Sequence, residues 1–300
     1  MLAIQFDQPG AADALQLNDV PAPSPGPGQA LVEFEASVIN PADMKILGGA
    51  ITPRNGSAPF TLGYDIVGRV VASGPGASRL TIGSRVIGLS IMAAAGEGTW
   101  AEFVCLPEDS LVEVSEGLGP EVWAQLPLAG STAYQAVDAL GESGRSTVLV
   151  VGAAGAVGRI AVQLLRDRGH RVVAVVRTEQ QAALVRDTVD TVFVEQMQAE
   201  SVDGVVDTAG VDFSHALRAG GRYVSVVPGS LPHASSPSMA GKDAEFILTR
   251  QSGDVLDKLA QMVERGELTL PEPRLFVLRD VRRAHDAFAK KEGERIVLLR

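Results

Sequence analysis

Val148-Leu-Val-Val-Gly-Ala-Ala-Gly-Ala-Val-Gly-Arg-Ile-Ala-Val-Gln-Leu-Leu165 reads as a buried strand that passes through a small-residue turn into a helix. The run Val148 to Val151 is apolar on both faces, as a central parallel strand covered on each side must be. From Val157 the apolar residues fall at Val157, Ile160, Ala161, Leu164 and Leu165, a spacing that lines one helix face. Between strand and helix, Ala153, Ala154, Gly155, Ala156, Val157 and Gly158 spell A-x-G-x-x-G, a variant of the dinucleotide fingerprint. Gly155 would admit a phosphate close to the backbone, and Gly158 would let the helix lie close on the strand. The unsatisfied N–H groups and the positive dipole end of that helix would supply the anion site. Gly169 ends the helix and Arg171 to Val176 form the next strand, so the turn sits in a β-α-β frame.

The chain has 300 residues, 46% hydrophobic and 21% charged, an ordinary globular composition with material for two domains. Its formal charge of −10 argues against nucleic acid or an anionic membrane as the main partner but allows a local basic pocket for a cofactor phosphate. Arg159 and Gln163 inside the apolar run argue against a membrane helix. One cysteine, Cys105, and four scattered histidines offer neither a disulfide framework nor a cysteine-rich zinc site. The first residues read as a strand and not as a signal peptide, so a reducing cytoplasm is the expected location.

Short apolar runs at Ala30–Ala36, Ile66–Val71, Arg85–Leu89 and Ala101–Leu106, punctuated by Gly and Pro, predict an all-β unit, a small barrel. The stretch Pro21 to Gly28 is a stiff exposed connection within it. Beyond Pro120 the pattern changes. A helix over Glu121–Leu140 is followed by alternating strands and helices: strands at Thr191–Val194, Gly204–Val206 and Arg222–Val227, helices at Glu179–Asp187 and Phe213–Leu217. Such alternation predicts a doubly wound parallel sheet. The expected division is therefore α/β: residues 1–120 with 270–300 as the barrel, and 121–269 as a Rossmann-type domain.

An ordered set of landmarks resembles the medium-chain dehydrogenase/reductase superfamily, specifically its zinc-free quinone oxidoreductase branch. They are Ser37-Val-Ile-Asn-Pro-Ala-Asp43, Pro59 to Gly68, Gly98 to Val104, Leu126 to Ala133, the Gly152–Gly158 turn, Val205 to Gly210 and Ala219 to Val224. The resemblance implies a GroES-like barrel closed by the C-terminal segment, a nucleotide domain inserted in it, and an active site in the cleft between them. It also implies a homodimer, because Phe246 to Thr249 resembles the family's subunit-joining edge strand. The zinc members place a cysteine near the position of Asn40, a histidine near Tyr64 and four cysteines in a structural lobe; this chain has none of these. Without a Lewis acid the expected acceptor is one already polarised, a quinone or an α,β-unsaturated carbonyl. An enoyl thioester, or a sensor role with little turnover, shares the same motifs.

In NAD-binding members of this fold the second strand ends in an acid that takes the ribose hydroxyls. Here that strand ends at Arg177 and Thr178, which suits the 2′-phosphate of NADPH, unless Arg177 is a surface residue paired with Glu179. Thr208 and Ala209, after one strand, and Val226 and Val227, ending the next, should border the nicotinamide half. Asn40, extended before Pro41, would aim its amide at a carbonyl or serve as a turn device. Asp43 suits capping of the following turn. Tyr64 could donate to a developing oxyanion or pack in the barrel, and Thr132 could face the nicotinamide or cap a helix start.

Overall fold

The computed structural model describes the chain except residues 56, 142–144, 195–196 and 291–293. It divides into two units, Met1–Leu128 with Arg250–Arg300, and Ala129–Thr249.

In the first unit, β1 (Leu2–Phe6) pairs with β2 (Gln16–Asp19), and β3 (Gln29–Val38) is the longest strand. The burial of β3 alternates from Ala30 to Phe34, as its apolar spacing requires, and becomes continuous at Ser37 and Val38. After α1 (Pro41–Leu47) come β4 (Phe60–Thr61), β5 (Asp65–Ser73), β6 (Arg85–Leu89), α2 (Met92–Ala95), β7 (Phe103–Pro107), β8 (Leu111–Glu113) and α3 (Pro120–Trp123). Strands β3, β5, β6, β7 and β8 belong to one sheet, while β2, β1 and β4 form a second. The two sheets share a single core in which Ile4 and Phe6 meet Phe34, Ile66, Trp100 and Leu111.

The second unit begins within α4 (Pro127–Ala139) and carries β9 (Thr147–Val151), α5 (Ala156–Asp167), β10 (Arg171–Val176), α6 (Glu179–Ala183), β11 (Thr191–Val194), β12 (Val202–Asp207), β13 (Leu217–Ser225) and β14 (Asp243–Phe246). Its six strands are all parallel, in the order β11-β10-β9-β12-β13-β14. The order reverses between β9 and β12, and in open sheets a ligand crevice forms outside the carboxyl ends of the strands at that point. Helix α5 packs on β9 and β10, and α6 on β10 and β11. A second cluster, with Leu149, Val151, Val175 and Tyr223, is covered by Phe213, Ala216 and Met239.

The chain returns to the first unit through α7 (Gly253–Glu264), β15 (Arg274–Val277), α8 (Val281–Ala289) and β16 (Ile296–Leu299), which pairs with β3. Thus the expected closure of the barrel by the last segment is present.

Several sequence expectations shift. Instead of one helix over 121–140 there are two, because Pro127 has no N–H to continue a helix and disfavours helical backbone at Leu126. The helix expected at 213–217 is a single 3₁₀ turn, Ser214–Ala216, since only nine residues (208–216) separate β12 from β13. Likewise 179–187 holds the five-residue α6 and a 3₁₀ turn at Arg186–Thr188. Residues 250–269, expected in the nucleotide domain, belong to the first unit, where α7 packs on β6 and β8. Strand β13 stops at Ser225, so Val226 and Val227 lie just past its end. No helix among the described residues is long and apolar enough to cross a membrane.

Candidate active site

The glycine turn of the second unit follows from two backbone demands. Gly152 adopts φ +77°, a left-handed conformation, at the end of β9. At Gly158 a Cβ would lie 2.3 Å from the Gly152 carbonyl oxygen and 2.7 Å from Ala153 Cα, so only glycine allows α5 to approach the turn this closely. Gly155 is exposed and is the N-cap of α5, where no side chain satisfies the helix N–H groups. Ala153 to Gly158 therefore form a short backbone cradle at the positive end of a 12-residue helix. These are the attributes a pyrophosphate requires, and the residues present fit one.

Across the switch point stands Asp207, which the sequence marks only as the start of the segment Asp207–Gly210 and whose carboxylate it gives no role. It is fully buried at the end of β12, opposite Val151 of β9. Its Oδ1 accepts from the N–H groups of Ala209 (3.0 Å) and Gly210 (2.8 Å), and its Oδ2 from the hydroxyls of Ser225 (3.0 Å) and Ser230 (3.1 Å). One carboxylate thus ties the segment after β12 to the segment after β13. Thr208 completes the tie by donating its hydroxyl to the Val151 carbonyl at 2.8 Å. Val226 donates its N–H to the Asp207 carbonyl at 3.0 Å, and Val227 packs against Gly210. Thr208, Ala209, Val226 and Val227 are consequently gathered at the carboxyl ends of β12 and β13, beside the turn.

At the end of β10, Arg177 is exposed and its guanidinium has no partner among the described residues. The alternative pairing with Glu179 is absent; Glu179 instead meets Arg186 at 3.3 Å. Thr178 is the N-cap of α6, accepting from the Gln181 N–H at 3.2 Å. Thr132 is inside α4 and not at its start, with its hydroxyl 2.7 Å from that of Thr249.

The first unit holds a buried polar network around Asn40 and Tyr64. Gly63, at φ +106°, sets up the chain ahead of Tyr64 and Asp65; a Cβ there would strike Trp100 and Thr99. Asn40 is the N-cap of α1, and Asp43 accepts its N–H at 2.8 Å and that of Gly63 at 3.2 Å, as the expected capping role requires. The Asn40 amide does not aim at open space: its Nδ2 donates to Asp65 Oδ2 at 2.5 Å. Asp65 Oδ1 accepts the Leu128 N–H at 2.7 Å, so this carboxylate also holds the first turn of α4. Arg295 is buried nearby, and its Nη2 has no hydrogen-bond partner among the described residues.

Burial pushes both carboxyls up, Asp43 to about 8 and Asp65 to about 6. For Asp65 the Leu128 N–H and the charge of Arg295 oppose the burial effect. Tyr64 belongs to the barrel core at 8% exposure, and burial, then the charge of Asp43, hold its phenol protonated well above its ordinary range. Asp65 and Arg295 were missed as a pair because they are 230 positions apart (295 − 65) and neither lies in a recognisable metal or nucleophile motif.

Two protein families match the chain: the alcohol dehydrogenase GroES-like domain over residues 26–116 and the zinc-binding dehydrogenase over residues 180–293. A chloroplast envelope quinone oxidoreductase homolog of Arabidopsis thaliana is 27% identical, over 97% of this chain and 94% of its own length. A mycocerosic acid synthase-like polyketide synthase of Mycolicibacterium smegmatis is also 27% identical, over 91% of this chain, which spans only 14% of that protein. The structure of a quinone oxidoreductase from Coxiella burnetii superimposes with a TM-score of 0.89 at 26% identity, covering 100% of this chain and 99% of the other.

Proposed function

Because the chain belongs to the medium-chain dehydrogenase/reductase superfamily, we propose that it is a zinc-independent oxidoreductase that uses NADPH to reduce a quinone or an α,β-unsaturated carbonyl compound. The observation that carries the cofactor choice is Arg177: an unpaired guanidinium where an NAD-binding site would present an acid. A charge-assisted contact to a 2′-phosphate contributes about 1.5–3 kcal/mol, roughly a ten- to hundredfold preference. The bound nicotinamide supplies the hydride.

The chain's own part is orientation of the cofactor and the acceptor. The backbone of Ala153 to Gly158 receives the pyrophosphate, Arg177 and Thr178 the phosphorylated ribose, and the segments tied by Asp207 flank the other half. A zinc ion does not suit the polar residues of the first unit. Asp43 and Asp65 are both committed to hydrogen bonds, Arg295 brings a positive charge beside them, and Asn40 and Tyr64 are poor zinc ligands. Tyr64, buried and protonated, serves packing, and water delivers the proton that completes the reduction.

The alignment with a polyketide synthase over 91% of the chain favours an enoyl thioester as a second acceptor class. A homodimer joined along the edge strand β14, next to Leu248 at 70% exposure, and a cytoplasmic location complete the reading. Fluorescence titration tests its centre. NADPH should bind at least tenfold more tightly than NADH, with the ratio collapsing in Arg177→Ala; equal wild-type affinities would refute the NADPH assignment. Tight NADPH binding without oxidation by quinones, enones or enoyl thioesters would mark a sensor instead.

A further inference from the structure

Arg159 occupies an electrostatically unfavourable place. It lies in the first turns of α5, immediately after Gly158, and its side chain turns back toward the helix start, where Nε donates to the Ala154 carbonyl at 3.0 Å. A cation there faces the positive end of the helix macrodipole, which repels it. The side chain is partly buried, and burial pulls its proton affinity below the ordinary guanidinium value. No carboxylate among the described residues pairs with it, and its two terminal nitrogens make no hydrogen bond to them. By contrast, the barrel arginines Arg69 and Arg85 share Glu35 and Glu116 as counter-ions. A half-buried cation fastened to a helix start without a counter-ion presents terminal nitrogens that an anion at the turn would satisfy.

We propose that Arg159 is a pyrophosphate-binding residue, adding a guanidinium fork to the backbone N–H groups of the Ala153–Gly158 turn. Its Nε bond to Ala154 fixes the plane of the fork, leaving the terminal nitrogens for the diphosphate oxygens. This role rests on the dinucleotide-binding reading but not on the choice of NADPH, because both cofactors carry the same diphosphate. Arg159 therefore sets affinity in common, whereas Arg177 sets the preference between the two.

The test measures binding to the apo protein by calorimetry, with ADP, 2′-AMP, NADPH and NADH as probes, for wild type, Arg159→Gln and Arg159→Lys. Arg159→Gln should weaken ADP, NADPH and NADH alike, by about ten- to hundredfold, and leave 2′-AMP within about twofold. Arg159→Lys, which keeps the charge but not the fork, should recover part of the ADP affinity. The apo melting temperature of Arg159→Gln should stay within about 2 °C, because removing a cation from the positive helix end offsets the lost Ala154 contact. Unchanged ADP affinity would overturn the proposal, and so would a weaker ADP affinity accompanied by a markedly lower melting temperature, which would make Arg159 a brace for the turn. Equal wild-type affinities for NADPH and NADH would refute only the assignment of Arg177. Failure of the wild type to bind ADP or either dinucleotide would remove the dinucleotide reading and this role with it.

Discussion

At the scale of single residues, a phenol beside a carboxyl in an apolar core is held in its protonated form, and Tyr64 is in that position. A proton donor that must be restored each turnover needs access to water, which a side chain 8% exposed has little of. Tyr64→Phe should therefore keep kcat within about threefold of wild type in NADPH oxidation; a loss of a hundredfold or more would return the phenol to the chemistry. Asp207 is the opposite case. Asp207→Ala leaves the Ala209 and Gly210 N–H groups without their acceptor, at about 1–3 kcal/mol for each group left unsatisfied, while the Ser225 and Ser230 hydroxyls keep each other and the Val227 carbonyl. Urea unfolding should show a loss of several kcal/mol, and a loss below about 1 kcal/mol would mean that those groups find other partners. The places of residues with local signatures were readable in advance: Arg177 after a strand, Asp43 three places after an N-cap, Gly158 at the start of a helix. The roles of Asp65, Arg295 and Asp207 were not, because their partners come from distant segments and only the folded chain brings them together.

Among the elements, the strand-turn-helix unit around β9 and α5 is the most constrained. Gly158→Ala would place its methyl 2.3 Å from the Gly152 carbonyl oxygen, so the helix must move away from the strand. The expected cost is about 1–3 kcal/mol in stability, with weaker binding of every adenine dinucleotide, read from thermal melts and titrations. Gly155→Ala should melt like wild type to within about 1 kcal/mol, since a Cβ there meets only the Gly152 oxygen at 3.2 Å, yet should still impair binding at the exposed turn. Equal melting losses in the two variants would contradict the division of labour between these glycines. Strands were legible because short valine-rich runs such as Val148–Val151 and Val172–Val176, bordered by Gly152 and Gly169, favour buried strands over helices. Helices were less so. Pro127 divided one, a nine-residue connection reduced another to a 3₁₀ turn, and the periodicity of α7 could not reveal which unit it packs on.

For the whole molecule, the raised carboxyls fix a sign. Folded Asp43 holds its proton to about pH 8, whereas an unfolded aspartate releases it near 3.8. The native state thus binds more protons across that window, and stability declines as pH rises through it; Asp65 adds the same trend up to about 6. Asp43→Asn removes one such group, so the stability difference between variant and wild type should shift in the variant's favour from pH 4 to pH 8. A difference that is flat with pH would mean that Asp43 is ionised in the fold.

The central claim, zinc-independent reduction by NADPH, is tested most directly by NADPH oxidation with 1,4-benzoquinone in protein dialysed against EDTA. The expected result is undiminished turnover after chelation, with kcat/KM for NADPH at least tenfold above that for NADH. Activity that vanishes on chelation and returns with zinc, or a preference for NADH, would contradict it.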